Sequence, residues 1–378
     1  MEHRTPGQLL QALLDEHGWS KRTLAVVIAM DESSVGKIIS GKKPVDAHLA
    51  LILAEVFGVE PDEFLVLQRR YDLELAKIVA KPDPTRSRRA HLFGGLPISD
   101  MIKRRWIDAE NMRDVAEVER ALARFFGVSS PSEIEVLPHA AKKTNVFGDA
   151  TPVQIAWLHR VKQVAADMMV ASFSEASARD AAQRLAPLRA DIDDVRRVPR
   201  IMNEAGVRFV IVESLPSAKI DGVCMWLSDN EPVIGLSMRH DRIDNFWFVL
   251  RHELEHVIQG HGRTAMMLDV DLDGQREIEP DEERVANEAA AEFCVPREMM
   301  AKFVARKSPF FADRDIMAFA RTIAVHPGLV AGQLQRRTGR YDRFRVHQAK
   351  VRSLVTPGCI TDGWGDVAPL ALKKAVSP

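Results

Sequence analysis

The sequence predicts a mainly α-helical protein with a small β-sheet, an α+β arrangement of more than one module. Three observations predict it. About the first 70 residues break into short apolar-striped segments punctuated by Gly18, Gly41 and Gly58. Two β-branched runs, Val207 to Val212 and Val233 to Leu236, follow much later. An HExxH pattern, His252-Glu253-Leu254-Glu255-His256, then sits in a stretch of helical periodicity. A length of 378 residues suits two or three domains.

The N-terminal elements can be read in order. Leu9, Leu10, Leu13 and Leu14 make an apolar stripe at helical spacing, and Gly18 closes that helix. Ser20 can cap a second helix, Lys21 to about Met30, with Leu24, Val27 and Ile28 turned inward. Asp31 can cap a third, Glu32 to Ser40, with Val35, Ile38 and Ile39 inward. A fourth runs from about Val45 to Phe57, and a fifth begins near Pro61 with Phe64, Leu65 and Leu67 inward.

Two short helices joined by a tight turn inside a five-helix bundle predict a helix-turn-helix. The segment Glu32 to Ser40 would enter a major groove, offering Ser33, Ser34, Gly36 and Lys37 to base edges. Lys42 and Lys43 suit phosphates, as do Lys21, Arg22 and Thr23 at the start of the preceding helix. Residues 1–70 hold eight Lys and Arg against ten Asp and Glu, so affinity would rest on local placement, eased by a dimer with paired basic edges. The alternative is a small bundle used for protein contacts.

This segment resembles the XRE superfamily, and among it antitoxins of the HigA type. The resemblance lies in Thr5-Pro6-Gly7-Gln8-Leu9-Leu10, in Ser34-Val35-Gly36-Lys37-Ile38-Ile39-Ser40-Gly41-Lys42-Lys43-Pro44, and in Leu67 to Leu73. It implies double-stranded operator DNA as a partner. Glu32 departs from the polar or basic residue frequent in that family.

Residues 81–89 read as a basic, proline-containing linker. Ile98 to about Ala186 is helical in pattern, with breaks near Ser129-Ser130-Pro131 and Gly148 to Pro152, and reads as a connector. The two β-rich runs would form a small sheet beside the HExxH helix.

In a helix, His252 and His256 lie four apart on one face and can aim two imidazoles at one metal ion. Glu253, one position round, can take a proton from a metal-bound water without being a ligand. The spacing HExxHxxGxxH fails, because His261 falls one residue early and Gly262 stands in its place. A third ligand from a later helix is the alternative. The Ala- and Glu-rich segment Asp281 to Phe293 follows Pro280 and stops before Pro296, and its alanines would allow close packing. Glu283 lies one turn before Asn287; Glu282 and Glu288 are further candidates.

The runs Val233 to Ser237, Arg239 to Phe248, HELEH, and Glu283-Arg284-Val285-Ala286-Asn287 resemble the ImmA/IrrE zinc metallopeptidases over about residues 200–300. The resemblance implies a zincin-like domain with Zn2+ on His252, His256 and Glu283, and Glu253 as general base. Two positions depart from the family: Ala289, where Phe is common, and Glu255, where a small residue is common.

Together these readings give residues 1–75 as a DNA-binding domain, 76–190 as a helical connector, 191–300 as a metallopeptidase domain, and 301–378 as C-terminal helices with a basic stretch. That stretch holds Arg336, Arg337, Arg340, Arg343, Arg345, Lys350 and Arg352, opposed by Asp342. A solvated face or a contact with an acidic partner or nucleic acid would both explain it. The expected function is an antitoxin-type repressor, homodimeric, whose peptidase domain cleaves or senses a protein partner such as a toxin or a repressor. The other reading is an antitoxin whose peptidase-like domain binds without hydrolysis.

Composition narrows the classes. A net charge of −1 announces neither a nucleic-acid nor a membrane partner from the whole chain. Cys224, Cys294 and Cys359 are too few and too scattered for a disulfide framework or a cysteine metal site. The first residues lack a signal-peptide core and no apolar run reaches spanning length, so a cytoplasmic protein is expected.

Overall fold

The computed structural model describes residues 4–80, 83, 86, 90, 93–129, 150–263, 267–270 and 281–369. Most of the expected linker at 81–89, the breaks at Ser130-Pro131 and Gly148-Asp149, and Pro280 lie outside the described residues. The chain divides into two compact units, Met1–Pro84 and Thr85–Pro378.

The first unit holds α1 (Pro6–His17), α2 (Lys21–Val27), α3 (Glu32–Ile39), α4 (Ala47–Phe57) and α5 (Pro61–Val79). Side chains of Thr5, Ser20, Asp31 and Asp46 accept hydrogen bonds from orphan amides of the first turns. Gly18 and Gly58 close α1 and α4 at φ 63° and 69°. Leu10, Leu14, Leu24, Val35, Ile38, Leu53 and Phe64 fill one core. Val27, expected inward, is 48 % exposed, because α2 is only two turns long and its inner side is Leu24 and Ala25. At Gly7 a Cβ would collide with the Ile39 carbonyl, so α1 crosses the end of α3 in direct backbone contact.

In the second unit the described residues include α6 (Ile98–Lys103), α7 (Val115–Phe126), α8 (Pro152–Ala166), α9 (Glu175–Leu185) and α10 (Val198–Glu204) ahead of the sheet. Strands β1 (Arg208–Val212), β2 (Ile220–Trp226) and β3 (Pro232–Leu236) lead to α11 (Ile243–Gln259). Then come β4 (Met267–Val270), α12 (Asp281–Cys294), α13 (Arg297–Lys307), α14 (Asp313–Thr322), α15 (Pro327–Thr338), α16 (Arg352–Val355) and β5 (Ile360–Asp362). The five-stranded sheet runs β4-β2-β3-β1-β5. β1 is parallel to β3 and β5, whereas β2 is antiparallel to β3 and β4.

Both faces of this sheet are covered, which is why β1 is a continuous apolar run. Phe209 and Ile211 join the core that contains Leu250 and Leu254 of α11. Val210 and Val212 join the opposite core with Trp157 and Val161 of α8. Gly235 lets Val161 approach β3, and Trp157 Nε1 donates to the Val212 carbonyl at 2.9 Å. Asp362 of β5 is buried and paired with Arg160 of α8, and accepts from Trp106 Nε1 at 2.6 Å. A buried carboxylate so placed is satisfied rather than stranded. Among the described residues, no helix is long and apolar enough to cross a membrane.

Candidate metal centre and nucleic-acid interface

Helix α11 is set in place by the apolar face Phe246, Trp247, Val249, Leu250, Leu254 and Val257, all buried. Its first amide, Ile243 N–H, donates to the Ala349 carbonyl at 2.9 Å, and Gly260 ends it at φ 70°. That orientation brings His252 and His256 against α12, where Ala286 and Ala290 are fully buried and let the two helices approach. Glu283, one turn before Asn287, completes a triad of buried donors.

The distances are short. His252 Nε2 and His256 Nε2 stand 3.0 Å apart. Glu283 Oε2 lies 3.6 Å from His252 Nε2, and Oε1 lies 3.8 Å from His256 Nε2. Two imidazoles and a carboxylate converging in a buried site are a set that could hold a metal ion. Of the other carboxylates weighed on α12, Glu282 is exposed, and Glu288 faces away to Arg284 and Arg297 at 3.4 and 3.8 Å.

Glu253 is fully buried beside this triad, with its carboxylate against β2. At Gly222 a Cβ would overlap Glu253 Oε1, so the strand leaves room for that carboxylate by omitting a side chain. Glu255 does not face solvent either. It is 7 % exposed, accepting from Arg251 at 2.7 Å and Gln259 at 2.6 Å. Burial pushes its carboxyl up, but the Gln259 hydrogen bond and the Arg251 charge outweigh this and hold it below the ordinary range.

Sequence reasoning missed the place of His261. Its spacing ruled it out as a third ligand, yet its Nδ1 lies 3.1 Å from Nδ1 of His256. The turn at Gly260 folds it back, and its carbonyl accepts from Trp226 Nε1 at 2.7 Å. A histidine just beyond the helix-ending glycine was the available signal.

In the first unit, Lys21, Arg22, Thr23, Ser33, Lys37 and Lys42 are exposed, and Ser34 and Lys43 are half-buried. Lys42 and Lys43 sit in a turn whose two amides donate to the Lys37 carbonyl at 2.8 and 3.0 Å. Asp31 accepts from the hydroxyls of Ser33 and Ser34 at 2.6 and 2.7 Å, and from Ser34 N–H at 2.8 Å. These hydrogen bonds hold its carboxyl well below the usual carboxylate range.

Comparisons agree with this division. Residues 10–64 match the helix-turn-helix family, and residues 203–336 match the IrrE N-terminal-like domain. The chain is 31 % identical over 75 residues to an uncharacterized HTH-type transcriptional regulator, YddM, of Escherichia coli strain K12. That match spans 20 % of this chain and 80 % of YddM. Among solved structures, an addiction module antidote protein of the HigA family from Coxiella burnetii is 29 % identical. The match spans 22 % of this chain and all of that one, with a TM-score of 0.19. The antitoxin GraA is 25 % identical across 25 % of this chain and 96 % of its own, also with a TM-score of 0.19. Through its N-terminal unit the chain belongs to the helix-turn-helix transcriptional regulators of the XRE type, and it carries in addition an IrrE N-terminal-like domain of the M78 peptidase family.

Proposed function

We propose that the protein is an antitoxin-type transcriptional repressor whose second unit is a zinc-dependent peptidase that cleaves or senses a partner protein. The observation that carries this reading is the convergence of His252, His256 and Glu283 with Glu253 beside them. Around a tetrahedral zinc, bonds of about 2.0–2.1 Å put neighbouring donors roughly 3.3 Å apart. The observed separations of 3.0, 3.6 and 3.8 Å bracket that value, so the residues fit the ion. His252, His256 and Glu283 would hold it. When bound, zinc activates a water and polarises a peptide carbonyl.

The chain's own work is proton handling. Glu253 takes a proton at its carboxylate and gives it to the leaving amide nitrogen. Its buried place opposite Gly222 fixes where that carboxylate stands and limits bulk water around it. In the first unit, Lys21, Arg22, Thr23, Lys42 and Lys43 bind operator phosphates, and Ser33, Ser34 and Lys37 face base edges. A homodimer in the cytoplasm completes the reading, supported by exposed Leu73, Ile78 and Val79 on α5.

Metal content and proteolysis of an unfolded protein such as casein test the centre. The parent chain should hold about one zinc, and His256→Ala and Glu283→Ala should lose it. Glu253→Gln should keep the metal and stop cleavage. Continued cleavage by that variant would sink the mechanism. A metal-loaded parent that never cleaves would leave a repressor that binds its partner without hydrolysis.

A further inference from the structure

Strand β2 breaks its own alternation once. Val223 and Met225 join the core against α8, and so does Ile220, an odd number of residues away. Gly222 and Cys224 face the other way, towards α11. A regular strand would put Ile220 and Gly222 on one face. They lie on opposite faces because the pairing with β4 steps from Ile220 with Val270 straight to Gly222 with Asp269. Asp221 is the extra residue of a β-bulge. The bulge keeps Ile220 in one core while Gly222 stands against the Glu253 carboxylate on the other side.

The bulge is held from the end of β3. Asp221 is 4 % exposed, and both its carboxylate oxygens accept from Arg239, Oδ1 from Nε at 3.1 Å and Oδ2 from Nη2 at 2.8 Å. Ser237 N–H donates to the Asp221 carbonyl at 3.0 Å, and its hydroxyl donates to the Ile220 carbonyl at 2.6 Å. Arg239 N–H donates in turn to the Ser237 hydroxyl oxygen at 3.1 Å. Between Ser237 and Arg239 the chain passes through Met238 at φ 48°, a left-handed conformation that a residue with a side chain keeps where its surroundings over-determine it.

We propose that Asp221 and Arg239 are positioning residues for the Glu253 carboxylate, acting through the bulge that presents Gly222 to it. The inference rests on the reading of Glu253 as the group that takes the proton in peptide cleavage. Gly222 shapes the place of Glu253 with backbone alone, so that place is only as well defined as the strand is rigid. An arginine fork with two parallel hydrogen bonds fixes direction as well as distance, and here it grips the bulged residue itself. A buried carboxylate that loses such a partner is stranded, and the backbone that carries it has to move.

Carboxyl carbon-13 NMR of the full chain, labelled at glutamate and recorded with and without zinc, tests it. The Glu253 signal is identified by its loss in Glu253→Gln. Arg239→Gln should shift that signal, and Arg239→Lys, which keeps the charge, should bring it part of the way back. Asp221→Asn with Arg239→Gln strands no charge and so protects the fold; it lacks the fork and should shift the signal too. With zinc, kcat for casein should fall by about tenfold to a hundredfold in the fork-less variants, with KM and zinc content kept. A Glu253 signal that stays in place in the double variant overturns the proposal. So does a shifted signal with kcat intact, or a loss of cleavage matched by a loss of zinc. A parent that holds zinc and cleaves nothing fails the peptidase reading, while the Glu253 signal still decides whether the pair positions that carboxylate.

Discussion

His261 Nδ1 and His256 Nδ1 stand 3.1 Å apart, on the side of the His256 ring opposite the nitrogen that faces Glu283. One hydrogen shared between these nitrogens fixes both rings. For His256 to offer a lone pair at Nε2, its Nδ1 carries the hydrogen and His261 accepts it. His261→Ala should therefore weaken zinc binding by about tenfold to a hundredfold, read by competition with a chelator. His261→Gln, which restores an acceptor, should recover much of it. Unchanged affinity in the alanine variant would remove His261 from the support of the site.

Gly222 should be as sensitive as a catalytic position although it carries no side chain. In Gly222→Ala the new methyl would occupy the place of Glu253 Oε1 and press on Val249. The carboxylate would have to move while His252, His256 and Glu283 stay. We expect zinc content to hold and cleavage to fall by about a hundredfold, in line with misplacement of a reacting group. Full activity in that variant would show that Glu253 works from another position.

Acid should weaken the second unit through His159. Its ring packs edge-on against Phe126 at 4.7 Å, and burial, reinforced by the Lys162 charge, lowers its pKa from 6.5 to about 4. The folded state favours the neutral ring. Above about pH 6.5 neither folded nor unfolded chain takes the proton, and stability is unaffected. As pH falls towards about 4 the unfolded chain is protonated first, and up to about 3 kcal/mol of stability is lost. Urea unfolding at about pH 7.5 and about pH 4.5 should show this, and His159→Leu should flatten it. An equal acid loss in the variant would assign the effect elsewhere.

Much of this architecture was legible because local chemistry dictated it. Thr5, Ser20, Asp31 and Asp46 cap where short polar side chains precede apolar stripes, and Gly18 and Gly58 end helices. β1 and β3 were readable from β-branched content. β2, interrupted by Asp221 and Gly222, and β5, only three residues long, were not. Their pairing depends on partners already in the sheet. The His252 and His256 pair followed from one-turn spacing, whereas Glu283 was singled out from Glu282 and Glu288 by the family resemblance. The fate of Glu255 was not legible, because Arg251 and Gln259 must be placed before a buried carboxylate can be seen as satisfied.

Ser33 and Ser34 both give their hydroxyl hydrogens to Asp31. What these two side chains turn outward is therefore lone pairs. On the proposed reading of this face as the one that enters a major groove, lone pairs match the amino hydrogens of cytosine N4 and adenine N6, and guanine O6 and N7 and thymine O4 would be left to the ammonium of Lys37. A carboxylate at the foot of the helix thus sets the polarity of the face above it, and in the proposed complex it would set the base edges which that face favours.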